Sequence, residues 1–102
     1  MATQLVGGLT EPAAVTEEIQ AIVQFLKPLV LERLNKPLHV YHAISYRSQL
    51  VAGMNYFIKV VIGDADDYIH MRVFQPLPGS GEKVSLSDIQ MGKKLFDVIE
   101  YF

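Results

Sequence analysis

Cysteine is absent from the 102-residue chain, and so is tryptophan. Without a thiol there is no disulfide framework, no thiolate zinc site and no cysteine nucleophile, so the fold rests on packing alone and a reducing compartment is the expected setting. Charge is sparse and nearly balanced: nine Lys and Arg against eleven Asp and Glu leave a formal net charge of -2. Scattered cations cannot neutralise a run of phosphates, which argues against nucleic acid as a partner. Long hydrophobic runs are missing as well, and none approaches the roughly 20 residues that a membrane-spanning helix needs. The opening Met-Ala-Thr-Gln does not lead from a basic segment into an apolar one, as a secretion leader does. A cytoplasmic protein with no membrane partner is expected.

Half of the residues are hydrophobic and a fifth are charged, which excludes a disordered chain and leaves some apolar surface over for a partner. The length suits one domain, residues 1–102, with one core of modest size. From Thr16, a plausible N-cap followed by Glu17 and Glu18, the apolar residues Ile19, Ile22, Val23, Leu26, Val30 and Leu34 recur at helical spacing. One amphipathic helix ending near Asn35-Lys36-Pro37 is predicted. Pro28 interrupts it on the side opposite the stripe, where the carbonyl it frees can face water and the helix can bend around a core.

After Pro37 the period changes to alternation. Val40, His42, Ile44 and Tyr46 share one strand face, Tyr56, Ile58, Val60 and Ile62 another, and Ile69, Met71 and Val73 a third. Val84 and Leu86, then Leu95 to Phe102, supply one or two more strands. Turn signals at Gly63-Asp64-Ala65-Asp66-Asp67 and Pro76-Leu77-Pro78-Gly79-Ser80-Gly81 separate them. The expected architecture is α+β, an antiparallel sheet of four to five strands wrapped around one long helix.

Residues that carry chemistry elsewhere have ordinary readings here. His39 and His42 point to opposite faces of a strand and cannot jointly grip a metal. Asp64, Asp66 and Asp67 lack the spacing of a calcium loop and read as a solvated turn. No serine sits in a nucleophile elbow, and Gly79-Ser80-Gly81-Glu82-Lys83 joins strands rather than opening a helix onto a phosphate. No cofactor and no metal are expected.

The unusual feature is a phrase spelled almost twice, Gln4-Leu5-Val6-Gly7-Gly8 and Gln49-Leu50-Val51-Ala52-Gly53. Chain termini usually fray, and hairpin tips are usually polar, so Leu and Val are out of place in both. Leu77-Pro78-Gly79 is a third apolar, glycine-bearing segment. In an antiparallel order the tips at 49–53 and 75–81 open at one end of the sheet, and the N-terminal segment reaches the same end if the helix runs away from it. Three apolar tips in a row form a wedge for a concave partner.

These segments resemble those of the cystatins, and specifically the stefins, the small branch without disulfides. Gln49 to Gly53 fit the family's Gln-x-Val-x-Gly hairpin, and Asn55-Tyr56-Phe57-Ile58-Lys59-Val60 looks like the stefin strand that follows it. Gly7-Gly8-Leu9-Thr10-Glu11 looks like the N-terminal glycine region, Val73-Phe74-Gln75 with Leu77-Pro78-Gly79 like the second hairpin, and Tyr101-Phe102 like the stefin C-terminus. The leader before Gly7 is longer than in the short stefins, and Leu-Pro stands where secreted cystatins carry Pro-Trp.

The resemblance implies reversible, tight inhibition of papain-like cysteine proteases, namely cathepsins L, S, H and B and papain, without any chemistry by the inhibitor. Leu5 and Val6 would lie extended in apolar subsites. Gly7 and Gly8 would let the backbone pass close to the catalytic cysteine and turn away. Leu50, Val51 and Ala52 would enter the cleft, Gly53 would permit the tight hairpin, and Gln49 would brace it by hydrogen bonding. Leu77, Pro78 and Gly79 would rest on the far side of the cleft as rigid contacts. A monomer is implied that can exchange its helix-containing half with a second copy by opening the first hairpin, with Val51 expected in strained backbone geometry. Two other functions fit parts of the pattern: a small sheet-around-helix enzyme or ligand carrier, which the uninterrupted aliphatic helix stripe disfavours, and a scaffold of the same fold aimed at a different protein.

Overall fold

The computed structural model describes residues 8–102. Its elements are β1 (Ala13–Ala14), α1 (Glu17–Phe25), α2 (Lys27–Leu34), β2 (His42–Val51), β3 (Gly53–Gly63), β4 (Asp67–Gln75) and β5 (Ser85–Lys93). The strands form one antiparallel sheet in the order β1-β2-β3-β4-β5, so chain neighbours are always sheet neighbours.

Thr16 caps α1 as expected: its backbone is extended and its hydroxyl accepts from the Ile19 amide at 3.2 Å. The predicted single helix is two segments that meet at Leu26. Pro28 has no N–H to donate, so the tight bond from the Leu29 amide to the Leu26 carbonyl, 3.0 Å, bridges the gap before Val30 resumes ordinary helical bonding to Leu26 at 3.1 Å. Leu26 keeps right-handed helical dihedrals, so the path bends without reversing. Asn35, left-handed at φ 55, ends α2 with its amide on the Leu31 carbonyl. Every residue of the predicted stripe is buried, and it packs on Ile58, Val60 and Ile62 of β3, Ile69, Met71 and Val73 of β4 and Leu86 of β5.

Two expectations about the strands need correction. In β2 the register slips between Ala43 and Ser45, a bulge at Ile44. Ala43 turns inward and is buried, whereas His42 and Ile44 are exposed, so the face predicted from Val40 to Tyr46 holds only beyond the bulge. A bulge leaves backbone groups without ladder partners. Gln20 of α1 supplies them, donating to the Ala43 carbonyl at 3.1 Å and accepting from its amide at 3.4 Å.

The second correction concerns residues 95–102, which are not a strand. After Lys93 the chain leaves the sheet edge and crosses the face away from the helix. There Phe57, fully buried, meets Tyr101 and Phe102 at ring distances of 5.6 and 5.7 Å, with Ile99 also buried. Three cations of the sheet hold this strap through its carbonyls: Arg47 donates to Ile99, Lys59 to Lys94, Leu95 and Asp97, and Arg72 to Phe102. Arg72 also lies 4.9 Å from the centre of the Tyr101 ring. The sheet is therefore covered on both faces.

Candidate functional site

The turn between β2 and β3 is as tight as a hairpin allows, with Val51 paired to Gly53 and Ala52 alone at the tip. Gly53 has φ +121, a conformation that L side chains rarely adopt, and a Cβ there would stand 2.6 Å from the Gln75 carbonyl oxygen. The positive φ falls on Gly53 and not on Val51, so the strain expected at Val51 is absent from its backbone in that sense. Behind the tip, directly opposed Gln49 and Asn55 are both buried, and Asn55 Nδ2 donates to Gln49 Oε1 at 2.8 Å. This bond ties the two strands immediately before the turn.

The second tip begins where β4 ends. Met54 pairs with Gln75, which sets the two tips side by side. Pro76 is buried, and a turn follows in which the Ser80 amide donates to the Leu77 carbonyl at 3.2 Å, with Gly79 at φ +85. Proline presets the second position of such a turn and glycine suits the third, so Leu77 is presented on a stiff support.

The N-terminal segment reaches the same end. Thr10 donates its amide to the Ser48 carbonyl at 2.9 Å, accepts from the Ser48 amide on its hydroxyl at 2.9 Å, and accepts from Arg47 Nε on its carbonyl at 2.8 Å. Because Ala13 pairs with Tyr46 and Ala14 with Ser45, the chain traced back from Ala13 through Thr10 to the exposed Gly8 advances toward the first hairpin tip. Leu5, Val6 and Gly7 lie outside the described residues.

Leu50, Val51 and Leu77 are 74, 37 and 54 % exposed; Ala52, Pro78 and Gly79 are exposed beside them, while Gly53 and Gln49 are buried in supporting roles. Between the two tips runs an open groove of about 470 Å³, with Leu50, Met54, Pro76 and Leu77 among its walls and Glu18 and Glu82 at its margin. Glu18 also stands near Tyr56, whose hydroxyl is pushed up chiefly by burial and further by that carboxylate. Among the described residues no group of three or more His, Cys, Asp and Glu is gathered as for a metal ion.

Sequence reasoning missed Thr10, Asn55 and Glu18. Asn55 was findable, since it and Gln49 are equally spaced about Ala52 and must face each other across a one-residue tip. Glu18 was not, because its place beside the tips depends on how α1 crosses the sheet.

A cystatin domain model matches residues 7–95 of this chain. That span takes in both hairpins and all five strands. The chain belongs to the cystatin family. Leukocyte cysteine proteinase inhibitor 1 of Sus scrofa is 46 % identical over 98 residues, 96 % of this chain and 94 % of that protein. Stefin-C of Bos taurus is 44 % identical over 96 residues, 94 % of each. Among solved structures, a secreted type 1 cystatin from Fasciola hepatica superposes with a TM-score of 0.71 at 28 % identity, covering 86 % of this chain and 98 % of that one. This cystatin is therefore a stefin, of the type 1 branch.

Proposed function

We propose that this stefin, acting as a single domain over residues 1–102, inhibits papain-like cysteine proteases reversibly and tightly by filling the substrate cleft. The observation behind the reading is the alignment of apolar tips: Leu50, Val51 and Leu77 stand exposed side by side, at the end toward which the chain from Thr10 to Gly8 also runs. The naming of a 46 % identical relative as a cysteine proteinase inhibitor supports the target class.

In this reading Leu5 and Val6 lie extended on one side of the catalytic cysteine, Gly7 and Gly8 carry the backbone past it, and Leu50 to Ala52 enter the cleft beside it. Leu77, Pro78 and Gly79 rest on the other side. The inhibitor is not an enzyme; it excludes substrate. A contact of standard size covers about 800 Å² on each partner, and affinity then depends on how little the loops must reorganise. The Gln49–Asn55 bond and the Pro78-Gly79 turn limit that reorganisation.

The proposed targets are cathepsins L, S, H and B and papain, met by the monomer in the cytoplasm, where a chain without cysteine has nothing to lose to reduction. A dimer formed by opening the first hairpin would straighten Gln49 to Gly53 and would not inhibit. Among the described residues no helix is long and apolar enough to cross a membrane. The deciding experiment is titration of active-site-counted papain with purified monomer, reading residual peptidase activity. One-to-one loss of activity is expected; a folded monomer without effect on papain or any of the four cathepsins would leave the fold with a different protein target.

A further inference from the structure

The groove between the two tips has a composition of its own. Its lining is mostly apolar, with Met54 half-buried, Pro76 buried, and Leu50 and Leu77 exposed, and Gln75 and Ser80 are its uncharged polar side chains. Every charged residue that lines it is an acid: Glu18 from the first turn of α1 and Glu82 from the loop before β5. Both are exposed, so neither carboxylate is committed to the interior. Leu50, Leu77, Pro78 and Gly79 of the tips are themselves part of the lining, so a partner that receives the tips also meets the groove.

An apolar trough with carboxylates at its margin fits a side chain that is aliphatic along its stem and cationic at its head. Resting on the inhibitory reading above, we infer that the groove receives a lysine or arginine side chain standing on the rim of the protease cleft. Its methylenes lie between Leu50 and Leu77, and its charge lies between Glu18 and Glu82. This contact selects among proteases of similar cleft shape, because a rim that offers an acid at that place is repelled and one that offers a neutral group leaves the carboxylates idle. Glu18 and Glu82 are thus specificity-determining residues outside the apolar tips.

The test measures association rates and inhibition constants of the full chain against papain and cathepsins B, H, L and S, at low and at physiological salt, for wild type, Glu18→Gln, Glu82→Gln, the double variant and Glu18→Lys. Against at least one of the five, the double variant should inhibit about 3- to 10-fold more weakly at low salt and lose most of the salt dependence, with Glu18→Lys weaker still. Changing that protease's rim lysines and arginines singly to Gln should then find one whose loss reproduces the effect and adds nothing to the double variant. If all variants match a wild type that does inhibit, across all five enzymes and both salts, the groove takes no cation and the inference is overturned. A wild type that inhibits none of them overturns the inhibitory reading and the inference with it.

Discussion

A Cβ on Gly53 would lie 2.6 Å from the Gln75 carbonyl oxygen and 2.9 Å from the Phe74 ring. The first hairpin and the end of β4 are therefore fitted to each other at a point where only a hydrogen has room. Gly53→Ala should cost about 2 kcal/mol or more, combining the strain of φ +121 with displacement of the Gln75 backbone. Because the displaced backbone leads into the second tip, inhibition of papain should weaken as well. Urea unfolding and an inhibition titration of the same preparation check both effects; an Ala variant equal to wild type in each would mean that the two tips are not coupled at this point.

The buried bond between Gln49 and Asn55 gives a second expectation. Removing either partner leaves the other's amide buried without a partner, which costs about 1–3 kcal/mol. Gln49→Ala and Asn55→Ala should each destabilise by that amount, and the double variant by less than their sum. Additive losses in a double-mutant cycle would show that the bond contributes nothing to the hairpin.

Direct contact is tested at the tips. Replacing Gly7 and Val51 with bulky charged residues should raise the inhibition constant by orders of magnitude, since a charge desolvated in an apolar cleft is costly. Val51 is already 37 % exposed, so its replacement spares the core. Circular dichroism establishes that the double variant is folded; unchanged inhibition from a folded variant would remove both residues from the site.

The helix stripe, the core faces of β3 and β4 and the adjacency of the two tips were legible in the sequence because each rests on local periodicity or on the order of antiparallel hairpins. The bulge at Ile44 was not. An extra residue in a strand leaves the composition unchanged, and what makes this one tolerable, the Gln20 amide, comes from an element 23 residues away. The strap failed for a related reason: Leu95 to Phe102 carry strand-forming residues, but Phe57 and three cations on the outer face of the sheet offer more than an edge position does. Phe57→Ala, which removes the ring that the strap covers, should cost about 3–5 kcal/mol. It should also speed amide exchange over residues 94–102 while leaving the helix–sheet core slow to exchange, and uniform acceleration would show that the strap is not a separate unit.

His70 gives the strap's surroundings a pH dependence. The ring is fully buried on the outer face of β4, paired across the sheet with Lys59 and Gln90. Burial first, then the Lys59 and Lys93 ammonium groups, push its pKa down to about 4 from 6.5; Asp97 and the Gln90 side chain act in the opposite direction and lose. The unfolded chain therefore binds a proton that the folded chain refuses between these two values. Stability due to His70 is whole above pH 6.5, declines as the pH falls toward 4, and declines no further below it, with a total loss of about 3 kcal/mol. Carboxylates titrate near the lower end of the same window, so the comparison that isolates the ring is His70→Phe, which has no proton to bind. Urea midpoints measured from pH 7 to 4.5 should fall more steeply for wild type than for the variant; parallel curves would mean that the proton is accommodated where the ring lies.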